Sequence, residues 1–160
     1  MVATAAGERL LAWGRTPDGE VVAGTRDALH LPGDVRIGWE RVETADWDEE
    51  SDTLHVVEVG GLEGPGREHR VVLGPATVLL ALVRERVTAT VVLQRHVAVR
   101  GRAGVFVIAR RAPSGDREVQ WVHRFDAGVD PADPEVRRLA TEALASARAE
   151  LGLGAGRSDW

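Results

Sequence analysis

The sequence predicts an α+β fold, with seven short antiparallel strands and a packing helix followed by a β-β-β-α extension. Three observations carry this. Residues 9–73 alternate short apolar runs with turn residues, at the spacing of a sandwich or barrel. At Gly74-Pro75 the apolar period changes from strand-like to helical. Near the end of the chain, an unbroken apolar stripe at helical spacing follows a strong helix-start signal.

The strands follow in order. Arg9–Gly14 is a short apolar run, closed by the turn Pro17-Asp18-Gly19. Glu20–Thr25 is rich in Val, and Ala28–Leu31 ends at Pro32-Gly33-Asp34. Val35–Trp39 and Val42–Asp48 are joined by a polar step at Glu40-Arg41. An acidic turn leads into Thr53–Val59, and the glycine-rich loop 60–66 leads into His69–Leu73. Pro75 then suits a helix start. Leu79, Leu82, Val83, Arg86 and Val87 share one face of a helix expected to reach about Leu93. Its β-branched second half, Val87–Leu93, reads equally well as strand.

Three further strands are expected at Arg95–Arg100, Val105–Ala109 and Glu118–Phe125. The last places Val119, Trp121, His123 and Phe125 on one side. The final helix has Asp133 as N-cap, Pro134 in the first turn and Glu135 at the positive end of the dipole. Val136, Leu139, Ala140, Ala143, Leu144, Ala147 and Leu151 form its stripe, and Gly152 is its expected stop. The organisation expected is a first domain over residues 8–93, the extension over 95–151 and a disordered tail over 152–160.

Absent residue types bound the chemistry. The chain of 160 residues has no Cys and no Tyr, and all 20 of its basic residues are Arg. Thiolate metal sites, disulfides, thiol or phenol nucleophiles, lysine Schiff bases and a P-loop lysine are therefore excluded. GC-rich codons account for the all-arginine usage and point to a GC-rich bacterial genome. The net charge of −5 argues against a dedicated nucleic-acid binder. The N-terminus lacks the basic and long apolar regions of a signal peptide, and no apolar run approaches the roughly 20 residues of a membrane span. A cytoplasmic protein is expected.

The segment Val21-Val22-Ala23-Gly24-Thr25-Arg26-Asp27-Ala28-Leu29-His30-Leu31 resembles the opening strands of bacterial PH-like and GRAM-like domains. Ile37-Gly38-Trp39-Glu40-Arg41-Val42 resembles their apolar strand with an acidic step. Trp47-Asp48 and the helix start from Asp130 to Val136 resemble a group of small actinobacterial proteins with no assigned activity. The PH-like resemblance covers residues 8–93 and implies a seven-stranded sandwich or barrel with a packing helix. It implies binding of lipids, peptides or proteins through variable loops, and no catalysis. The basic headgroup loop of lipid binders has no counterpart, because the first hairpin turn, Pro17-Asp18-Gly19-Glu20, is acidic.

Candidate sites are few. Glu40, Glu43, Asp46, Asp48, Glu49, Glu50 and Asp52 form an acidic cluster. A calcium loop is ruled out there by Ser51 in the glycine position and Val57 in place of the bidentate Glu. From Arg84 to Arg124, nine arginines stand against three acids, a net +6. Arg95, Arg100, Arg102, Arg110, Arg111 and Arg124 are the candidate binding residues of an arginine-rich sheet. Register with Val119 and Phe125 points Trp121 into a core. His30, His55, His69, His96 and His123 are scattered without metal-pair spacing. The expectation is a non-catalytic interaction module without cofactor or metal, whose partner is another protein or its own copy. The alternative is an anion- or RNA-binding protein using the arginine-rich sheet. Docking of that basic sheet onto the acidic segment, within one chain or between two, is a third reading of the basic stretch, and a small-molecule enzyme built on strand-borne His and Asp residues is a third reading of the function.

Overall fold

The apolar runs of the N-terminal part become seven strands in two antiparallel meanders. A computed structural model describes residues 8–60, 66–114 and 118–155, with side chains as far as residue 152. Strands β1 (Ala12–Arg15), β2 (Val21–Gly24), β3 (Ala28–Leu31) and β4 (Val35–Gly38) form one sheet in that order. Strands β5 (Val42–Asp48), β6 (Thr53–Glu58) and β7 (Glu68–Val72) form a second. The chain passes from one to the other through a single 3₁₀ turn, Trp39–Arg41. Trp39 therefore heads a turn and does not end the fourth strand. Helix α1 (Thr77–Ala89) follows. No sheet among the described residues closes into a barrel: the seven strands divide four and three.

Both sheets and α1 share one core. Leu29, Ile37, Trp39, Leu54, Val56 and Leu79 are all buried and belong to a single apolar cluster. Trp39 is fully buried, and its indole N–H donates to the Thr25 carbonyl at 2.9 Å. That bond makes burial of the polar indole edge affordable. The helix lies so close to the first sheet that side chains are excluded beneath it. A Cβ at Gly24 would stand 2.6 Å from Leu82 Cδ2, and one at Gly14 would stand 2.9 Å from Ala76 Cβ.

The helix stops at Ala89, short of Leu93. The Thr90 hydroxyl donates to the Val87 carbonyl at 2.7 Å. Val91 then opens the ten-residue strand β8 (Val91–Arg100). The β-branched run is thus divided: Val87 stays in the helix, and Val91, Val92 and Leu93 belong to the strand. Antiparallel pairing of β8 with β9 assigns these residues to a strand, where β-branched side chains are favoured.

The chain divides into two compact units. One runs up to Thr90 and is rejoined by the segment beginning at Arg111; the other comprises Val91–Arg110 and the chain from Val119. In the second unit β8, β9 (Ala103–Arg110) and β10 (Gln120–Phe125) form an antiparallel sheet ordered β10-β9-β8. Helix α2 (Pro134–Ala155) packs on β8 and β9. Asp133 caps it, its carboxylate accepting the Glu135 N–H at 2.9 Å. Val136, Ala140 and Ala147 of the stripe are buried, whereas Leu139 and Leu144 are half-buried. The helix runs through Gly152, a helix-interior glycine costing about 1 kcal/mol. Residues 156–160 of the expected tail lie outside the described residues.

Replacing Trp39 by Phe keeps one aromatic ring, leaves part of the indole's buried volume empty and removes the donor to the Thr25 carbonyl. It is expected to destabilise the first unit by about 1–3 kcal/mol. Trp47→Phe, at a half-buried position, is expected to cost less. Urea denaturation followed by circular dichroism compares the two.

Candidate functional site

Strand register places the candidate arginines on different surfaces. Arg95 is aligned with Val107, which makes its face that of His123. α2 covers this face: His123 Nε2 lies 3.1 Å from the Ala140 carbonyl, and Arg95 is ion-paired with Glu150. Trp121 shares the face, half-buried, with the Arg148 guanidinium 5.9 Å from its ring centre. Arg124 and Arg110 point the other way, in register with Phe106 and Gln120. Arg110 is only 4% exposed. Arg100 and Arg102 flank the exposed β8–β9 turn, and Arg111 lies in the first unit. Within the second unit, Arg95 therefore lies on the face opposite that of Arg110 and Arg124.

On the face away from α2, the second unit carries a polar-aromatic row. The Arg124 guanidinium sits 4.4 Å from the Phe106 ring centre, a cation–π contact. The His96 ring packs on Phe106 with centroids 4.5 Å apart. His96 Nε2 lies 2.9 Å from Asp126 Oδ2, which also accepts the Gly104 N–H at 2.9 Å. These two bonds, the backbone one foremost, hold the Asp126 carboxyl below the usual range. The row is internally satisfied, since each charge already has its partner.

The first unit holds two features that reading by composition passed over. The first is an apolar surface strip. Leu10, Leu11 and Trp13 are 42%, 44% and 55% exposed on and just before the edge strand β1. Arg15 lies over Trp13, its guanidinium 5.3 Å from the ring centre. The run Leu10-Leu11-Ala12-Trp13 reads in sequence as core, but strand alternation turns Ala12 inward and Trp13 out.

The second is an ion cluster, buried at Glu8 and His30 and open to solvent at Arg36, whose side chain is 45% exposed. The side chain of Glu8 is only 6% exposed, and that of His30 5%. Arg36 Nη2–H donates to Glu8 Oε1 at 2.7 Å and Nε–H to Oε2 at 3.4 Å. The Thr25 hydroxyl lies 3.1 Å from Oε1. His30 Nε2 stands 3.4 Å from Oε2, outside hydrogen-bond geometry. The hydrogen bond to Glu8 is the main reason the Arg36 pKa is raised. A signal for the cluster was present: His30 and Arg36 are cross-strand partners in the hairpin centred on Gly33. Two basic side chains facing each other there call for an anion.

The acidic segment is a capped turn. Asp48 accepts from the Glu50 N–H at 3.0 Å and the Ser51 hydroxyl at 2.7 Å, the second being the main reason its pKa is lowered. The histidines remain apart, His69 bonding Glu58 at 2.7 Å and His55 lying 3.5 Å from Glu68. Among the described residues no group of three or more His, Asp or Glu could hold a metal ion. Among the described residues no helix is long and apolar enough to cross a membrane. No family model, curated protein or solved structure matches the chain.

Asp126 yields a signed pH dependence. Its carboxyl is lowered in the folded state, so its contribution is present above the ordinary carboxylate range and is lost as pH falls through the folded value. Between about pH 5 and pH 2 the Asp126→Asn protein is expected to lose less stability than the wild type. Urea midpoints at both ends of that interval give the comparison.

Proposed function

We propose that this chain is a non-catalytic interaction module that docks a protein partner, or a second copy of itself, along strand β1. The observation carrying this reading is the exposed strip of Leu10, Leu11 and Trp13. An edge strand offers backbone groups for strand addition, here short of Arg15, whose carbonyl already accepts the Gly74 N–H at 2.9 Å, and Trp and Arg are both enriched at binding hot spots. Arg15 beside Trp13 supplies that pair here. The sequence adds support by omission, since zero Cys and zero Tyr remove two nucleophile classes.

The finer fold reading belongs to the same proposal. A PH-like module is supported by the order of elements: a four-stranded meander, a three-stranded meander and then a helix packed on β1, β2 and β5. In this reading β8, β9, β10 and α2 are the added β-β-β-α unit. The alternative of an anion or RNA surface has less support, because Arg95 is paired with Glu150, Arg110 is buried and Arg124 is stacked on Phe106.

Trp13→Ala removes an exposed side chain and is expected to leave thermal stability within about 2 °C of wild type. It is also expected to abolish concentration-dependent association in sedimentation equilibrium, or capture of a partner from host extract. A wild type that stays monomeric and captures the same proteins as Trp13→Ala would overturn the reading. On heparin the module is expected to pass without retention at moderate salt. Salt-sensitive retention would favour the anion alternative.

A further inference from the structure

We propose that Thr25, His30 and Arg36 form a carboxylate-binding cradle, filled in this structure by the chain's own Glu8. The site goes beyond the docking reading and does not depend on it. Its parts come from three consecutive strands and their turns. Thr25 directly follows β2, His30 lies in β3 and Arg36 in β4. Cross-strand register places His30 opposite Arg36 and beside Ala23. The cradle is therefore positioned by the sheet and not by the group that fills it.

The chemistry suits a planar monoanion. The Arg36 fork reaches both oxygens of Glu8, at 2.7 Å and 3.4 Å. A guanidinium offers this two-point contact to carboxylates in particular. The Thr25 hydroxyl hydrogen has two acceptors in reach, Glu8 Oε1 at 3.1 Å and the Ala28 carbonyl at 3.2 Å. The charged acceptor is the stronger. Thr25 Oγ1 in turn accepts the Ala28 N–H at 3.1 Å, which holds the hydroxyl in place. His30 is 4% exposed, and its Nε2 has no hydrogen-bond partner although it stands 3.4 Å from Glu8 Oε2. A buried imidazole nitrogen this near a carboxylate it does not bond is, in its Nε2–H tautomer, a donor that a differently placed carboxylate could use. The other charges facing Arg36 are Asp27 and Glu40.

Glu8 reaches the cradle from outside the strand frame. It precedes β1, and the next three residues, Arg9, Leu10 and Leu11, are exposed. Beyond Glu8 itself, this segment is tied by the Leu11 N–H, which donates to the Gly24 carbonyl at 2.8 Å. Glu8 acts as a tethered ligand, and a free carboxylate of similar shape fits the seat once the side chain is removed.

Chemical rescue tests this directly. Glu8→Ala is expected to lower the Tm of the first unit by about 5–10 °C. Acetate at about 0.1 M is expected to recover roughly 3–5 °C of that loss with saturation, whereas chloride at matched ionic strength recovers none. The wild type, its seat filled, does not respond. Glu8→Gln, which fills the space without the charge, is also destabilised and is not rescued. Arg36→Ala combined with Glu8→Ala abolishes rescue. A variant too unstable to fold is still informative, because recovery of the circular dichroism signal with acetate is then the readout. A second arm uses a blocked peptide of the sequence Gly-Glu-Arg-Leu-Leu. Rescue at a concentration tenfold or more below that of acetate identifies a peptide carboxylate as the ligand, and rescue no better than acetate identifies a small free carboxylate. Equal effects of acetate and chloride, equal rescue of Glu8→Gln, or stronger rescue by phosphate than by acetate would each overturn the cradle.

Discussion

One hydrogen bond inside the first unit organises most of what surrounds it. Trp39 sits where the chain leaves the four-stranded sheet for the three-stranded one, and it is the largest fully buried side chain. A residue at that crossing touches both sheets, so its ring fills the space in which they and α1 meet. Burial of so large a side chain is favourable only if the indole N–H keeps a partner, and the Thr25 carbonyl provides it. The Trp39 N–H on the backbone donates to the Asp27 carbonyl at 3.2 Å, so the same turn is gripped twice. Beside Trp39, a side chain at Gly24 would stand 2.6 Å from Leu82 Cδ2 and 3.4 Å from the indole, so Leu82 of α1 would have to shift to admit one.

Thr25 carries this constraint outward. Its carbonyl faces the core and its hydroxyl faces the ion cluster around Glu8. The inner and outer surfaces of the first sheet are thus joined through one residue. The outer surface has an unusual composition for buried ground, with a carboxylate, an imidazole and one end of a guanidinium in contact. Burying such groups is tolerable because opposite charges are matched within hydrogen-bonding range. The same logic recurs through the molecule. His69 meets Glu58 and His96 meets Asp126, each ring finding a carboxylate on a neighbouring segment.

Much of the architecture was legible in the sequence. The hairpin turns, the helical stripe of α2 and the Asp133 cap are all local, and each appears in the expected place. The failures also have a local cause. Val87–Leu93 satisfies helix and strand patterns equally, and only the availability of β9 as a partner assigns Val91 onward to a strand. Gly152 is a common stop, but a single glycine costs less than the remaining turn of α2 gains by continuing. The surface sites were less legible. Leu10 to Trp13 has the composition of a core strand, and only its place at the sheet edge leaves Trp13 exposed. The arginine-rich stretch is basic by count, yet strand alternation and ion pairing distribute its charges over separate faces.

The division follows from the range of the interactions. Turn chemistry, capping and periodicity act between residues a few positions apart, so reading along the chain was enough for the elements, their order and the chemistries excluded by missing residue types. Exposure and charge pairing act between residues brought together by folding. Glu8 and Arg36 are 28 positions apart, and His96 and Asp126 are 30. Neither pair has any signature in its own neighbourhood beyond the His30–Arg36 register. The strip at β1 and the Glu8 seat therefore came into view only with the assembled sheets, because it is sheet order and face that determine which strand is left at an edge and which carboxylate meets which cation.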